Sequence, residues 1–548
     1  MNQRIAVLAL SVACASGVAT HAAAAPPASC ASLAALSLPD TTITLAGAVT
    51  GGPLPPYCRV VGTIRPTADS QIGFETWLPL ANWNGKLNGV GGGGFAGAIS
   101  TEAMSRALLR GYAATSTDTG HVGGGPFGAS LDGTFALGHP EKVIDFGPRS
   151  LHLTTRNAKA IVRAFYGKRP AYSYYTGCST GGRQGLMEAQ QFADDYDGLA
   201  VGAPANYWTH LLAGAAWIHQ ARLKDPESWF SPTLMPLLEG AVNAKCDAKD
   251  GLADGILNDP RKCDFKPSSL LCKTGQDPAT CFSAKQVTAL EKIYGGARNP
   301  RTGERIFPGL MPGAESAGWP AWIAGQAPGF SLADIFGTQY FKFFVFQNPA
   351  YDLLTYDFDA DQAFNDASIG RFVNAVDPDL RPLQRRGGKV LMYHGWNDAA
   401  ISALNSINYY ESVVSFFTGR RDTRREALGE VQEFFRLFMV PGMEHCGGGP
   451  GPNAFGAPFA LPAPTLDADH DLLSALERWV EHGKAPSKII ATKYAGDNPA
   501  GAIALQRPLC PYPQTAVYKG KGSGGDPKNF KCRAEDRHDD DNEGDDDD

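Results

Sequence analysis

The sequence is poor in charge, and its body has no long apolar run. Only 19% of its 548 residues are charged, against 43% hydrophobic, which excludes a chain kept unfolded by its own charge. Beyond the N-terminus no segment offers eighteen uninterrupted apolar residues, so no membrane span is expected. Lysine and arginine form no run and the net charge is -7, which argues against a nucleic-acid surface. No C-x-x-C pair occurs and no histidines interleave with the cysteines at ligand spacing, so the cysteines do not read as a zinc site. What is abundant is glycine (63) and proline (39), without a period. That composition fits a loop-rich globular protein, long enough for more than one domain.

The N-terminus, "MNQRIAVLALSVACASGVATHAAAAPP", places one arginine before an apolar stretch and small residues before Pro26. Residues 1–25 read as a secretory signal peptide cut near Ala24 or Ala25, and the mature protein is expected to be secreted or periplasmic. Removing Cys14 leaves ten cysteines: Cys30, Cys58, Cys178, Cys246, Cys263, Cys272, Cys281, Cys446, Cys510 and Cys532. An even count in an exported chain implies disulfides. Short separations make Cys246–Cys263, Cys272–Cys281 and Cys510–Cys532 natural pairs.

Strand-like and helix-like segments alternate over residues 26–204: "GKLNGVGGGG", "GYAATSTDTGH", "RNAKAIVRAFYG", "PAYSYYTG", "GRQGLMEAQQF" and "YDGLAVGAPA". That alternation predicts a parallel sheet with crossover helices, an α/β protein. It returns over 378–532 in "GGKVLMYHGWND", "FFRLFMVPGMEH" and the amphipathic "HDLLSALERWVEHG". Between them, 205–377 breaks the pattern and reads as an inserted domain. The acidic "AEDRHDDDNEGDDDD" lies in a tail, 533–548, expected to be disordered.

The chemistry centres on "YYTGCSTGGRQG". Ser179 sits between Gly177 and Gly181 at G-x-S-x-G spacing, after a strand and before a helix, where a nucleophilic serine is expected. Such a serine needs a base, a group to orient the base, and donors for the oxyanion. Asp398, at the end of a strand, is the candidate acid. His445, after the next strong strand, is the candidate base. Their order, serine then acid then histidine, fits. His394, His121 and His139 also lie near strand ends but lack the position after the acid. Backbone N–H groups of Thr180 and of Gly92 and Gly93 are the expected oxyanion donors. A phosphate loop is disfavoured because no Gly-Lys-Ser/Thr follows the glycines. Cys178 precedes the serine and Cys446 follows the histidine. If Ser179 and His445 meet, a Cys178–Cys446 disulfide would hold them in register.

Gly177-Cys178-Ser179-Thr180-Gly181-Gly182, "HGWNDAAI" with Asp398, and His445-Cys446 resemble the tannase and feruloyl esterase family, over nearly the whole mature chain. The resemblance implies an α/β-hydrolase fold with a large lid domain inserted between serine and aspartate. It also implies the serine–aspartate–histidine triad and the disulfide between the two neighbouring cysteines. One departure is "NDAAIS", where many relatives have proline soon after the aspartate. "CDAKDGLADGILNDPRKC" carries closely spaced carboxylates and turn glycines, a pattern suited to a hard cation as well as to solvated turns. The resemblance implies structural calcium there, on Asp247, Asp250 and Asp254 with the carbonyls of Leu252 and Ile256. No organic cofactor is expected. His394, Ile401, Trp319 and Phe344 are the expected substrate contacts, with Trp322, Phe341, Phe343 and Phe346 as further lid aromatics. The resulting expectation is a serine carboxylesterase for esters of aromatic acids, feruloyl, other hydroxycinnamoyl or galloyl. The alternatives are hydrolysis of a terephthalate monoester and non-catalytic polymer binding on a hydrolase fold. Oligomeric state stays open.

Overall fold

The computed structural model describes residues 29–534 other than 127, 420 and 422. Nine strands form one sheet: β1 (Thr41–Val49), β2 (Tyr57–Ile64), β3 (Ile72–Pro79), β4 (Lys86–Val90), β5 (Ala113–Thr117), β6 (Tyr172–Cys178), β7 (Gly198–Gly202), β8 (Lys389–Gly395) and β9 (Phe435–Val440). Their spatial order is β1-β2-β3-β5-β4-β6-β7-β8-β9. The first three, and β3 with β5, pair antiparallel. From β5 to β9 every pairing is parallel. This is an α/β-hydrolase sheet, with an antiparallel extension at its N-terminal edge.

The central strands are buried on both faces, which parallel pairing under two helical layers requires. One face packs Val90, Tyr174, Leu391 and Phe438 against Leu472, Leu476 and Trp479 of the helix Leu472–His482. That helix starts where Asp471 accepts the Ser474 N–H and stops at Gly483, whose φ of +67° suits a left-handed cap. The opposite face packs Tyr175, Val201, Met392 and Leu437 against Leu186 and Val413, from the helices Thr180–Gln191 and Ala403–Thr418.

The insertion falls between β7 and β8. It is mainly helical, with Trp208–Leu223, Met235–Cys246, Ala284–Gly295 and Leu332–Tyr340 as its longer helices. After β9 come two hairpins, Ile489–Tyr494 with Ile503–Leu509 and Gln514–Tyr518 with Phe530–Ala534. The last hairpin corrects the start expected for the tail. Arg533 and Ala534 are strand residues, paired with Thr515 and Gln514, because the Cys510–Cys532 bridge and this pairing tie them down. The expected signal peptide and the remaining tail lie outside the described residues. All ten cysteines among the described residues are bridged, as Cys30–Cys58, Cys178–Cys446, Cys246–Cys263, Cys272–Cys281 and Cys510–Cys532. No helix among the described residues is long and apolar enough to cross a membrane.

The lid buries a carboxyl group. Glu315 is 1% exposed, and its Oε1 accepts from Tyr294 O–H at 2.7 Å and Gly313 N–H at 3.0 Å. Burial, outweighing those bonds, raises it to about 7. An acid whose folded value lies above its unfolded one costs nothing below pH ~4.5, and its cost grows until the pH reaches the folded value. Glu315→Gln keeps both bonds to Oε1 and removes the titration. Between pH 4.5 and 7 the wild type should lose about 3 kcal/mol of unfolding free energy relative to this variant, measurable by urea denaturation at both values. An equal pH dependence in the two proteins would contradict this.

Candidate active site

Ser179 lies in the turn between β6 and the helix Thr180–Gln191, at φ +63° and ψ -122°. A non-glycine residue there is strained by about 1–3 kcal/mol, so the surroundings must hold it. Its N–H donates to Gly202 O at 3.0 Å, and its carbonyl accepts from Ala205 N–H at 3.1 Å. The neighbouring glycines are steric requirements: a Cβ on Gly177 would stand 2.6 Å from Gly181 O, and one on Gly182 would stand 2.3 Å from Gly202 O. The sharp turn directs Ser179 into a cavity that His445 and Thr180 also line.

Asp398 follows β8 and is fully buried. Its Oδ1 accepts from Ala400 and Ile401 N–H, both at 2.8 Å, and its Oδ2 from His445 Nδ1 at 2.7 Å. Burial would raise this carboxyl, yet His445 and His394 hold it well below the usual range. An anion fixed in this way orients the His445 ring, with Nδ1–H toward Asp398 and Nε2 as the remaining nitrogen. His445 closes β9's loop just before Cys446, itself at φ +62°. The Cys178–Cys446 bridge, Cα to Cα 6.0 Å, fastens this loop to the serine's turn.

His394 is not a substrate contact. It is wholly buried behind Asp398, with Nε2 3.1 Å from Asp398 Oδ2 and 3.0 Å from Ile401 O, and Nδ1 2.7 Å from Ser406 Oγ. Because a carbonyl can only accept, Nε2 is the protonated nitrogen, and His394 braces the acid. The glycine loop is also corrected. Gly92 N–H is spent on Gln184 Oε1 at 3.1 Å, so it is not a free oxyanion donor. Gly94, not Gly92 or Gly93, lines the cavity, and its carbonyl accepts from the Thr180 hydroxyl.

With this geometry, the comparisons with known proteins converge. A sequence model of the family described as "Tannase and feruloyl esterase" matches residues 58–533. The chain belongs to the tannase and feruloyl esterase family. It is 42% identical over 536 residues to an uncharacterised esterase of Xanthomonas campestris pv. campestris, covering 93% of this chain and 92% of that one. It is 32% identical over 484 residues to a probable feruloyl esterase B-2 of Aspergillus terreus, covering 87% and 86%. The crystal structure of feruloyl esterase B from Aspergillus oryzae matches with a TM-score of 0.82 at 29% identity, over 92% of this chain and 99% of that one. The chain is a carboxylic ester hydrolase of this family's type.

In this esterase the lid supplies the far wall of the cavity, though not through every aromatic residue the sequence suggested. Trp319 and Phe344 are each 1% exposed and do not line it. Trp319 packs on Tyr294 at 5.2 Å in the lid core, and Phe344 packs among Phe95, Phe135, Phe146 and Tyr340. Trp322 and Phe336 take those places. Trp322 meets the His445 ring edge-on at 5.3 Å and stacks on Phe336 at 5.8 Å. Ile401 lines the cavity as expected. Phe336 was missed. A signal existed in Ser331 and Asp334, which form a capping box and so fix the start and phase of its helix. Glu444, beside His445, was missed too. Burial, and then Asp398, push its carboxyl well up.

In the loop after Cys246 the aspartates accept from backbone N–H groups of their own loop. Asp247 Oδ2 accepts from Gly255 N–H at 2.9 Å, Asp250 from Leu252 at 3.1 Å and Asn258 at 2.9 Å, and Asp254 from Ile256 at 3.2 Å. Asp247 Oδ1 is buried without a partner, which is the orphaned acceptor a hard cation would satisfy. Arg507 pairs with Asp254 Oδ2 and neutralises part of the cluster. The donor set is all oxygen, the chemistry a hard cation prefers, although Arg507 already occupies one of its carboxylates.

Proposed function

We propose that this esterase is a serine hydrolase of aromatic acid esters, exported from the cytoplasm. The observation that carries the reading is that Ser179, on its strained turn, and His445, oriented by Asp398, line one cavity. His445 Nε2 takes the Ser179 Oγ proton as Oγ bonds to the ester carbonyl carbon. The oxyanion forms beside the N-terminus of the helix that begins at Thr180, where backbone N–H groups point at it. The Thr180 N–H and the Gly94 N–H are the proposed pair. The tetrahedral species expels the alcohol, which takes the proton from His445, and leaves an acyl-enzyme. Water then bonds to the acyl carbon as His445 takes its proton, and collapse breaks the bond to Ser179 Oγ, which recovers that proton from His445 as the acid leaves. The hydroxycinnamoyl or galloyl reading draws on the names of the relatives and on an apolar cavity bearing Trp322 and Phe336. Export draws on the five disulfides, which persist in oxidising compartments.

Calcium belongs to the same reading. Asp247, Asp250 and Asp254 with the Leu252 and Ile256 carbonyls would hold it. Bound there it supplies charge balance that stiffens the lid loop, with no part in the reaction.

Ser179→Ala should lower kcat by ~10³-fold or more with little change in fold. Hydrolysis of an aromatic methyl ester at near wild-type rate by the pure variant would end the serine assignment. Chelation should lower the melting temperature, and added calcium should restore it in proportion to its logarithm above Kd. Absence of bound calcium by elemental analysis, together with no thermal shift on addition, would end the metal assignment.

A further inference from the structure

Three polar side chains meet away from the cavity. His152 lies on the helix Ser150–Tyr166, Glu188 in the last turn of the helix Thr180–Gln191, and Asp195 in the turn before β7. One nitrogen or oxygen atom from each lies within 4.8 Å of the others. None of the three lines the cavity at Ser179. His152 Nδ1 is 2.6 Å from Asp195 Oδ2, and its ring stacks on Phe192 at 3.9 Å. Glu188 is 2% exposed, and no donor reaches its Oε2. What faces it is the Asp195 carboxyl; burial, and then that neighbour, push Glu188 well up. Lys159 Nζ stands 3.9 Å from Asp195 Oδ1, the oxygen His152 does not meet, and donates to the Asp194 carbonyl at 3.1 Å.

A buried carboxyl oxygen with no donor needs a partner. A shared proton would join the two carboxyls alone. A cation would join them and also take the imidazole nitrogen that meets them there. One nitrogen with two carboxylate oxygens is a set suited to zinc, whereas calcium and magnesium take oxygen. Tetrahedral ligands about 2.1 Å from zinc stand about 3.4 Å apart, so side-chain shifts of the order of 1 Å bring these three to that spacing. The place is the C-terminal end of the helix Thr180–Gln191, where positive charge is favoured. The His152 side chain is 23% exposed, which leaves an ion a way in from solvent. We propose that His152, Glu188 and Asp195 form a zinc-type site, completed by water, that clasps the far end of the helix opened by Ser179 to the helix Ser150–Tyr166. Its role is structural, it is separate from the aspartate loop after Cys246, and it stands without the esterase reading.

The test uses the full chain, stripped with a chelator, returned to excess calcium and then dialysed to equilibrium against zinc chloride. Elemental analysis should find one zinc per chain, and the melting temperature should rise with the logarithm of free zinc above Kd. His152→Ala, at a partly exposed position, should bind zinc at least roughly 10- to 100-fold more weakly, and Glu188→Gln, of the same shape, should do the same. His445→Ala should bind zinc as the wild type does. No bound zinc in the wild type would overturn the proposal and leave a shared proton between Glu188 and Asp195. Undiminished binding by His152→Ala, or loss of binding in His445→Ala, would overturn it as well, because the ion would then sit elsewhere. If Glu188→Gln fails to fold, the His152 variant still decides.

Discussion

One covalent constraint organises the end of the sheet where Ser179, Asp398 and His445 gather. β6 carries the turn of Ser179 and β9 leads to His445, but β7 and β8 lie between them in the sheet. Three strand spacings put β6 and β9 about 14 Å apart. The Cα atoms of Cys178 and Cys446 are nevertheless 6.0 Å apart. The loop after β9 must therefore fold back across the ends of two strands to reach the serine, and the bridge fixes it there. Both turns it joins are held in left-handed backbone geometry, at Ser179 and at Cys446 itself. Two strained turns, 268 residues apart in sequence, are held against each other by a bond that does not depend on side-chain packing.

The electrostatics follow from that placement. With the His445 loop fastened, Asp398 becomes the single fixed anion beneath it, gripped by two backbone N–H groups and braced by His394. Glu444, next in chain to His445, has its carboxyl pushed well up by burial and then by the repulsion of that anion. The lid then closes the other side through Trp322, whose ring meets His445. Positioning is thus divided: the disulfide sets where His445 sits, Asp398 sets how its ring is turned, and the inserted segment supplies the facing wall through Trp322.

Much of this was legible in the sequence because it rests on local geometry or on chain order. The strand–turn–helix around Ser179, the acid before the base and the cysteines flanking two expected catalytic residues are all features of spacing. The parallel sheet, and the insertion between its halves, show as changes of hydrophobic period. What was not legible depends on partners distant in sequence. Gly92 looked available until Gln184, 92 residues on, proved to take its N–H. His394 sits at a strand end, as a cleft histidine would, but Ser406 and the Ile401 carbonyl turn it inward. Aromatic content marked the lid as a binding wall without separating Trp319 and Phe344, which fill cores, from Trp322 and Phe336, which face the cavity. Side-chain direction across an insertion of short helices is set by packing, and no local period encodes it.

The central claim is that the Cys178–Cys446 bridge places the base. The most direct measurement is kcat of the doubly substituted Cys178→Ala, Cys446→Ala enzyme on an aromatic ester it hydrolyses, beside its circular dichroism. Freed of the bridge, the His445 loop should shift relative to Ser179, and a displacement of about 1 Å costs ~100-fold in rate. The expected result is a kcat lowered by about that factor in a protein whose spectrum is unchanged. A kcat equal to wild type in the same folded protein would contradict it, since packing alone would then suffice to place His445.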